Sequence, residues 1–393
     1  MNRNLLTSVL ILMLTHTIIT TANTDWDIIE RCASVGEANT LYQGEILLNG
    51  SEGVHVVSAE STIARIRIFA DYRWVTNWLW GANSAFSAIS PDGQQIVFVE
   101  GSLTLDCPPC WKGVLQTYRL LIYDTGERGV VRTIPYELTF DYGQHTGVNR
   151  DFQIVWLNDN QVMIPQAGLV TAQDTPRPVV SDIQDGSTEF SVSDDIPFYE
   201  VEAFSVQPNG QYTIVNLPET PFDRESYHLI DITTGDVLLA LGDVQGFEIA
   251  WHPDGTQVAV GISDVTTDLY IIDLETLNRD VVVEAYAPNF STYYHTDTAW
   301  SHDGRYLKYV QQSIRDGSRL HIVDVVDRVI YDTCVITRST GWSPSANQVA
   351  LTSYGSDQLE PINAENTVQI FDLATWQVYP IATHEGHIMQ WIE

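Results

Sequence analysis

Ala250-Trp-His-Pro-Asp-Gly255 decides the fold when read with the three segments behind it, Gln257-Val-Ala-Val260, Tyr270-Ile-Ile-Asp273 and Asp280-Val-Val-Val283. A short apolar segment runs into a proline, whose ring presets φ. The Asp-Gly pair then supplies the left-handed positions that a tight hairpin needs. The segment after the turn alternates as a half-buried strand does, and two more strand-length segments come after it. The unit reads as four antiparallel strands.

The unit recurs. Ala88-Ile-Ser-Pro-Asp-Gly93, Ser205-Val-Gln-Pro-Asn-Gly210 and Ala299-Trp-Ser-His-Asp-Gly304 are close copies, and Gly341-Trp-Ser-Pro-Ser-Ala346 and Val155-Trp-Leu-Asn-Asp-Asn160 are weaker ones. The third strands end in Asp124, Asp182, Asp231, Asp273, Asp324 and Asp372. Taking the tryptophan position as a marker gives Ile89, Trp156, Val206, Trp251, Trp300, Trp342 and Trp391, at intervals of 67, 50, 45, 49, 42 and 49 residues. Four-stranded units at this period are propeller blades. The expected blades cover about 85–142, 150–197, 199–243, 246–287, 295–337 and 338–383. Only two residues come after the seventh marker, so its blade lacks three strands. Gly44–Leu48, Gly53–Val57 and Ala64–Phe69 supply them, so residues 384–393 plus 41–73 form a blade shared between the N- and C-termini, which removes the open sheet edge. The fold class is all-β, a seven-bladed β-propeller. A six-bladed ring would require 150–197 to be an insertion.

The strand–Trp-Ser-Pro-Asp-Gly–strand pattern, with its third strand ending in Asp, resembles the WD40-like and TolB-like β-propeller repeats of bacterial exported proteins. The resemblance spans essentially all of the chain after residue 22 and is weakest at 150–197. No third strand ends in Trp-Asp, and Gly-His occurs once among the repeats, at Gly386-His387. The buried His–Asp–Ser–Trp network of eukaryotic WD40 proteins therefore does not transfer.

Composition narrows the function. The 393 residues carry 19 Lys plus Arg against 51 Asp plus Glu, a formal charge of −32, and the only lysines are Lys112 and Lys308. Nucleic acid and anionic membranes need a basic footprint, so neither is an expected partner. A hydrophobic fraction of 44% argues for a folded chain over a disordered one. Residues 1–22 have one charge, Arg3, an apolar run from Leu5 to Leu14 and small residues before Ala22. That is the layout of a secretory signal peptide, with an uncleaved anchor as the alternative. The expected location is secreted or periplasmic, in the cell envelope. The expected form is a single propeller domain over 23–393, monomeric, without membrane insertion after signal removal.

Candidate chemistry is sparse. The marker tryptophans sit at one equivalent position per blade, which predicts packing between blades. The third-strand aspartates fall where a strand meets a turn, which predicts Asx-turn bonds to backbone. Cys107-Pro-Pro-Cys110 lies in a loop between strands, away from any helix N-terminus that would activate a thiolate, and no second ligand pair completes a zinc site. In an exported chain a local Cys107–Cys110 disulfide is expected. Cys32 and Cys334 either pair, pinning the N-terminal segment to the ring, or stay free. His384 and His387 lack a third ligand in the sequence. No nucleophile elbow, zinc-protease motif or phosphate loop occurs, so no catalytic residue, metal or cofactor is expected.

What remains is aromatic loops. The loops leading to the next blade and those between second and third strands open on one face. They carry Trp74, Trp78, Trp80, Trp111, Tyr293 and Tyr294, the expected ligand-binding residues. Exposed aromatics of this kind anchor a protein, peptide or glycan. The expected function is thus a non-catalytic binding module of the cell envelope. The alternative is a propeller hydrolase or lactonase acting on a sugar-like substrate, since such sites assemble from several blades.

Overall fold

The computed structural model describes residues 26–37, 42–50, 53–58, 63–66, 87–90, 94–107, 112–124, 126–127, 129–141, 151–152, 155–164, 179–186, 188–189, 203–208, 210–217, 226–243, 246–263, 266–286, 294–313, 317–337, 339–353, 367–383 and 387–392. The described residues are all strand, turn and connection. The chain opens with two short strands, β1 (Asp27–Glu30) and β2 (Ser34–Val35), and then β3 (Glu45–Gly50), β4 (Gly53–Ser58) and β5 (Ile63–Ile66). Blade 1 is β6 (Ser87–Ile89), β7 (Gln95–Cys107), β8 (Lys112–Asp124) and β9 (Gly129–Asp141). After β10 (Asp151–Phe152), blade 2 is β11 (Val155–Asn158), β12 (Gln161–Ile164), β13 (Val179–Asp182) and β14 (Thr188–Glu189). Blade 3 is β15 (Ala203–Val206), β16 (Tyr212–Leu217), β17 (Ser226–Asp231) and β18 (Val237–Asp243). Blade 4 is β19 (Gly246–Trp251), β20 (Gln257–Ser263), β21 (Thr266–Asp273) and β22 (Arg279–Tyr286). Blade 5 is β23 (Tyr294–Trp300), β24 (Tyr306–Ser313), β25 (Gly317–Asp324) and β26 (Val329–Ile336). Blade 6 is β27 (Ser339–Trp342), β28 (Gln348–Ser353), β29 (Thr367–Asp372) and β30 (Gln377–Thr383), and β31 (His387–Ile392) ends the chain.

Seven sheets result, each built on an antiparallel meander of four strands, six of them in sequence order, a seven-bladed propeller. The strands β11, β12, β13 and β14 form a blade of their own, so this stretch is not an insertion in a six-bladed ring. The seventh sheet, blade 7, has the order β31-β3-β4-β5, with Ile46 opposite Trp391 and Asn49 opposite His387. First strands of successive blades touch one another, β19 with β23, β23 with β27 and β27 with β31, so they gather toward the axis. Fourth strands carry exposed valines, Val130 and Val131 in β9, Val237 in β18 and Val281 in β22, and so form the outer wall. The apolar core lies between blades. One cluster joins Ile214 and Leu229 of blade 3 to Val258 and Ile272 of blade 4, and another joins Ile46 and Val57 to Ala350 and Ile370 of blade 6.

Three sheets gain a fifth strand, each by parallel addition. β1 pairs with β26, β2 with β30, and β10 with β15. The first two additions place residues 27–35 along the outer edges of blades 5 and 6.

Candidate functional site

Repeat positions are spent on holding blades together. Trp156 Nε1 donates to Ala88 O at 2.9 Å, Trp300 Nε1 to Ala250 O at 2.9 Å and Trp342 Nε1 to Ala299 O at 2.8 Å. Trp251 Nε1 donates to Ser205 Oγ at 3.0 Å. In each case the acceptor belongs to the residue just before the marker of the preceding blade. The next position continues the pattern: Gln207 Nε2 donates to Gly255 O, and His252 Nε2 lies 3.1 Å from Gly304 O. Gly304 has φ 71°, and a Cβ there would collide with the His252 ring, so both conformation and contact require glycine. The inter-blade role expected of the tryptophans is what these bonds show.

The third-strand aspartates are turn residues, as their position predicts. Asp231 Oδ1 accepts from the N–H of Thr233 and Thr234, Asp273 Oδ1 from Thr276 N–H and hydroxyl, and Asp372 Oδ1 from Thr375 N–H. Asp124, Asp182 and Asp324 do the same. The Thr276 hydroxyl and amide hold the Asp273 carboxyl below the usual carboxylate range.

Of the aromatic candidates, Trp74, Trp78, Trp80, Trp111 and Tyr293 lie outside the described residues. Tyr294 opens β23 opposite Gln312, so it begins a strand instead of sitting in the preceding loop. Cys107 ends β7 opposite Lys112, the first residue of β8; Cys110 lies outside the described residues. His384 lies outside them as well. The hairpin itself was not expected. β7, β8 and β9 each run 13 residues, against 6–8 in the strands of blade 4. At ~3.3 Å per residue the long strands reach ~40 Å, roughly twice a blade. Pairing continues from Gln95↔Asp124 at the base to Cys107↔Lys112 at the tip, and β9 accompanies β8 as far as Val114↔Asp141. The signal for this arm is the alternation of Ser102-Leu-Thr-Leu-Asp106.

Toward the axis, blades 4 to 7 share a buried polar network that sequence reading missed. Lys308 in β24 is 1% exposed; its Nζ donates to Asp297 O at 2.7 Å and lies 3.3 Å from Asp297 Oδ1. Burial lowers the Lys308 pKa, and the charges of Asp297 and Glu248 of blade 4 oppose the fall. Asp297 sits at a register shift in β23 with φ 59°, a conformation that costs a non-glycine residue energy. Its Oδ2 accepts from both the N–H and the hydroxyl of Thr340 in blade 6. Ser339 Oγ meets Thr352 Oγ1 at 2.8 Å and accepts from Ile388 N–H of blade 7 at 2.8 Å. Thr298 Oγ1 is buried without a hydrogen-bond partner among the described residues. The only sequence signal was a rare lysine inside an alternating strand.

On the outer wall, residues 26–36 form a strap across three blades. Trp26 is buried, its Nε1 donates to Asp280 Oδ1 of blade 4 at 3.2 Å, and the Arg328 guanidinium covers its ring while binding Asp280 through both nitrogens. Cys32 and Cys334 form a disulfide with Cα atoms 4.8 Å apart, the paired alternative of the two open in the sequence. Trp376 of blade 6 donates to Arg31 O at 2.6 Å and lies under the Arg31 guanidinium. Glu30, Cys32 and Cys334 bring potential ligand atoms together, but the disulfide occupies both sulfurs, which removes the thiolates a soft metal needs. Nearby, His321 stacks on Tyr309 with ring centroids 4.8 Å apart. Neither of its ring nitrogens has a hydrogen-bond partner among the described residues. Burial pushes its pKa down to about 4, with Asp332 opposing and Arg319 adding to the fall.

No protein-family model matches the chain, and no curated protein matches it. Among solved structures it is similar to TolB of Acinetobacter baumannii, at 11% identity over 75% of this chain and 82% of that chain, with a TM-score of 0.40. It is similar also to the β-propeller domain of Cps50 (Swd1) from Myceliophteria thermophila, at 15% identity over 78% and 87%, with a TM-score of 0.43. The fold assignment rests on the strand pairing above.

Proposed function

We propose that this chain is an exported, non-catalytic binding module that recognises a protein, peptide or glycan of the cell envelope through the face bearing its aromatic loops. The long arm of blade 1 carries this reading. Extending three strands to twice blade length orders backbone that the ring does not need, and rigid elements position recognition residues better than loops do. In a propeller the turns between second and third strands and the connections leaving fourth strands open on one face, and the sequence assigns Trp111, Trp74, Trp78, Trp80 and Tyr293 to such segments, which supports a shared recognition face. The Cys32–Cys334 disulfide supports export, because such bonds persist in oxidising compartments. The described aspartates and marker tryptophans are taken up by turns and blade contacts, which supports binding over catalysis.

Substituting Trp74, Trp78 and Trp111 together by alanine tests this reading. Capture of envelope proteins and binding to a glycan array should fall at least tenfold, equivalent to ~1.4 kcal/mol, with the melting temperature unchanged. A variant that unfolds early, or that binds as the parent does, would show that these aromatics plug the ring mouth.

A further inference from the structure

We propose that β1 is a docking edge for an extended peptide whose central residues read basic–apolar–apolar–basic, added as a sixth strand to the sheet of blade 5. This site lies on the outer wall and does not depend on the binding face proposed above. β1 is the terminal strand in the order β1-β26-β25-β24-β23, and among the described residues nothing pairs with its outer side. Asp27 N–H donates to Arg328 O and Arg31 N–H to Asp332 O, so the odd-numbered residues of the strand face β26. Alternation turns the N–H and C=O groups of Ile28 and Glu30 outward, ready to template another strand. All four residues are exposed, and Ile28, at 68%, is among the most exposed large apolar side chains described. Val35 and Val326 extend the apolar character along the same wall, at 82% and 70%.

The strap holds this edge in place. Trp26 fixes one end against blade 4, the disulfide fixes the other against β26, and Trp376 binds the carbonyl between the disulfide and β1. A docking strand therefore meets an ordered edge, with little backbone entropy left to lose on the protein's side.

Charge selects the occupant. β1 reads Asp-Ile-Ile-Glu, so each face of the strand shows one isoleucine and one carboxylate. The pattern is the same in both directions, and its complement is basic–apolar–apolar–basic whether the incoming strand runs parallel or antiparallel. In a second copy of this chain the same Ile28 and Glu30 face outward, so an antiparallel pair would set Glu30 opposite an isoleucine of its twin. A basic peptide instead sets an opposite charge against each carboxylate of β1, and opposite-charge cross-strand pairs stabilise a sheet. The nearby cations are engaged elsewhere: Arg328 with Asp280, and Arg31 over Trp376.

The test uses the full chain with its disulfide intact and three capped peptides. One carries lysine-valine-valine-arginine at its centre, the second valine-lysine-arginine-valine, and the third glutamate-valine-valine-aspartate. The first should bind in fluorescence anisotropy, at least tenfold more tightly than the second, and the third should not bind. Binding of the first should slow hydrogen exchange at the amides of Ile28 and Glu30. Ile28→Pro removes one outward N–H and no bond to β26, so it should weaken the first peptide at least tenfold with the melting temperature unchanged. If Ile28→Pro melts early, the exchange data on the parent chain decide. Equal binding of the first two peptides would mean non-specific attraction to an acidic protein and would overturn the proposal. Unchanged exchange at Ile28 and Glu30 would overturn it as well. So would a concentration-dependent dimer of the parent chain that Ile28→Pro abolishes, since the edge would then serve self-association.

Discussion

A single indole N–H does two jobs in this chain. Trp300 is 7% exposed, and its ring fills the seam between blades 4 and 5 while its Nε1, which burial would otherwise leave unpaired, donates to Ala250 O. Val206 stands at the equivalent position of blade 3, so that seam has apolar contact without the hydrogen bond. His321 shows the opposite case, a polar ring buried for its shape and stacked on Tyr309. Its pKa of about 4 lies below the value near 6.5 of an exposed histidine, because burial disfavours the charged form. As pH falls below about 6.5 the unfolded chain takes up a proton that the folded chain refuses, so stability is full above that value and is lost toward pH 4. Between pH 7 and pH 4.5 the parent should therefore lose about 2–3 kcal/mol more than His321→Phe, which keeps the stacking and cannot titrate. Urea melts of both proteins across that range check it, and carboxylates common to the two cancel in the comparison. Parallel pH profiles would mean that His321 reaches solvent before it must charge.

At the level of elements, what was legible in the sequence was local. Pro-Asp-Gly turns and strand-final aspartates act within five or six residues, so their chemistry can be read directly, and His228-Leu-Ile-Asp231 ends in the turn it predicts. Asp297 with Lys308 and Thr340 could not be read, because the contact depends on a register shift in β23 and on how blade 6 meets blade 5. The strap was illegible for another reason. β1 is four residues and β2 is two, too short for periodicity, and a parallel edge strand leaves no turn signal between partners 302 positions apart. Only Cys32 and Cys334 hinted at it, as a pair that could form or stay free. The strap's energetic weight comes from that separation, since a cross-link closing so long a loop removes much of the unfolded chain's freedom. Replacing Cys32 and Cys334 by serine should cost about 3–5 kcal/mol and lower the melting temperature by roughly 5–10 °C. Reductant should lower the parent's melting temperature by a similar amount and leave the double variant unchanged. A fall with reductant in the variant would assign the effect to Cys107 and Cys110 instead.

The whole molecule depends on how its two ends meet. β31 supplies the first strand of blade 7 and β3 to β5 supply the other three, so this sheet forms only once residues 387–392 have been made. Such non-local pairing closes at a high entropic cost and is held by a few large side chains. Trp391 is 1% exposed, meets Tyr42 edge-on at 5.9 Å between centroids and donates to Gln43 O. Ile388 packs in the same cluster as Val368 and Ile370 of blade 6, and its N–H reaches Ser339. Deleting residues 387–393 takes away a buried tryptophan, two buried isoleucines and the pairing along β3. Removing the tryptophan side chain alone is worth about 3–5 kcal/mol. The deletion also turns β3, with Ile46 and Leu48, into an open apolar edge. The truncated chain should be insoluble or melt at least 10 °C below the parent. A synthetic peptide of residues 384–393 added in excess should restore most of the loss, because it refills the vacant strand position. A truncated chain that melts like the intact one would show that the other six blades stand without β31, and rescue by a peptide with Trp391→Ala would show that strand pairing alone seals the blade.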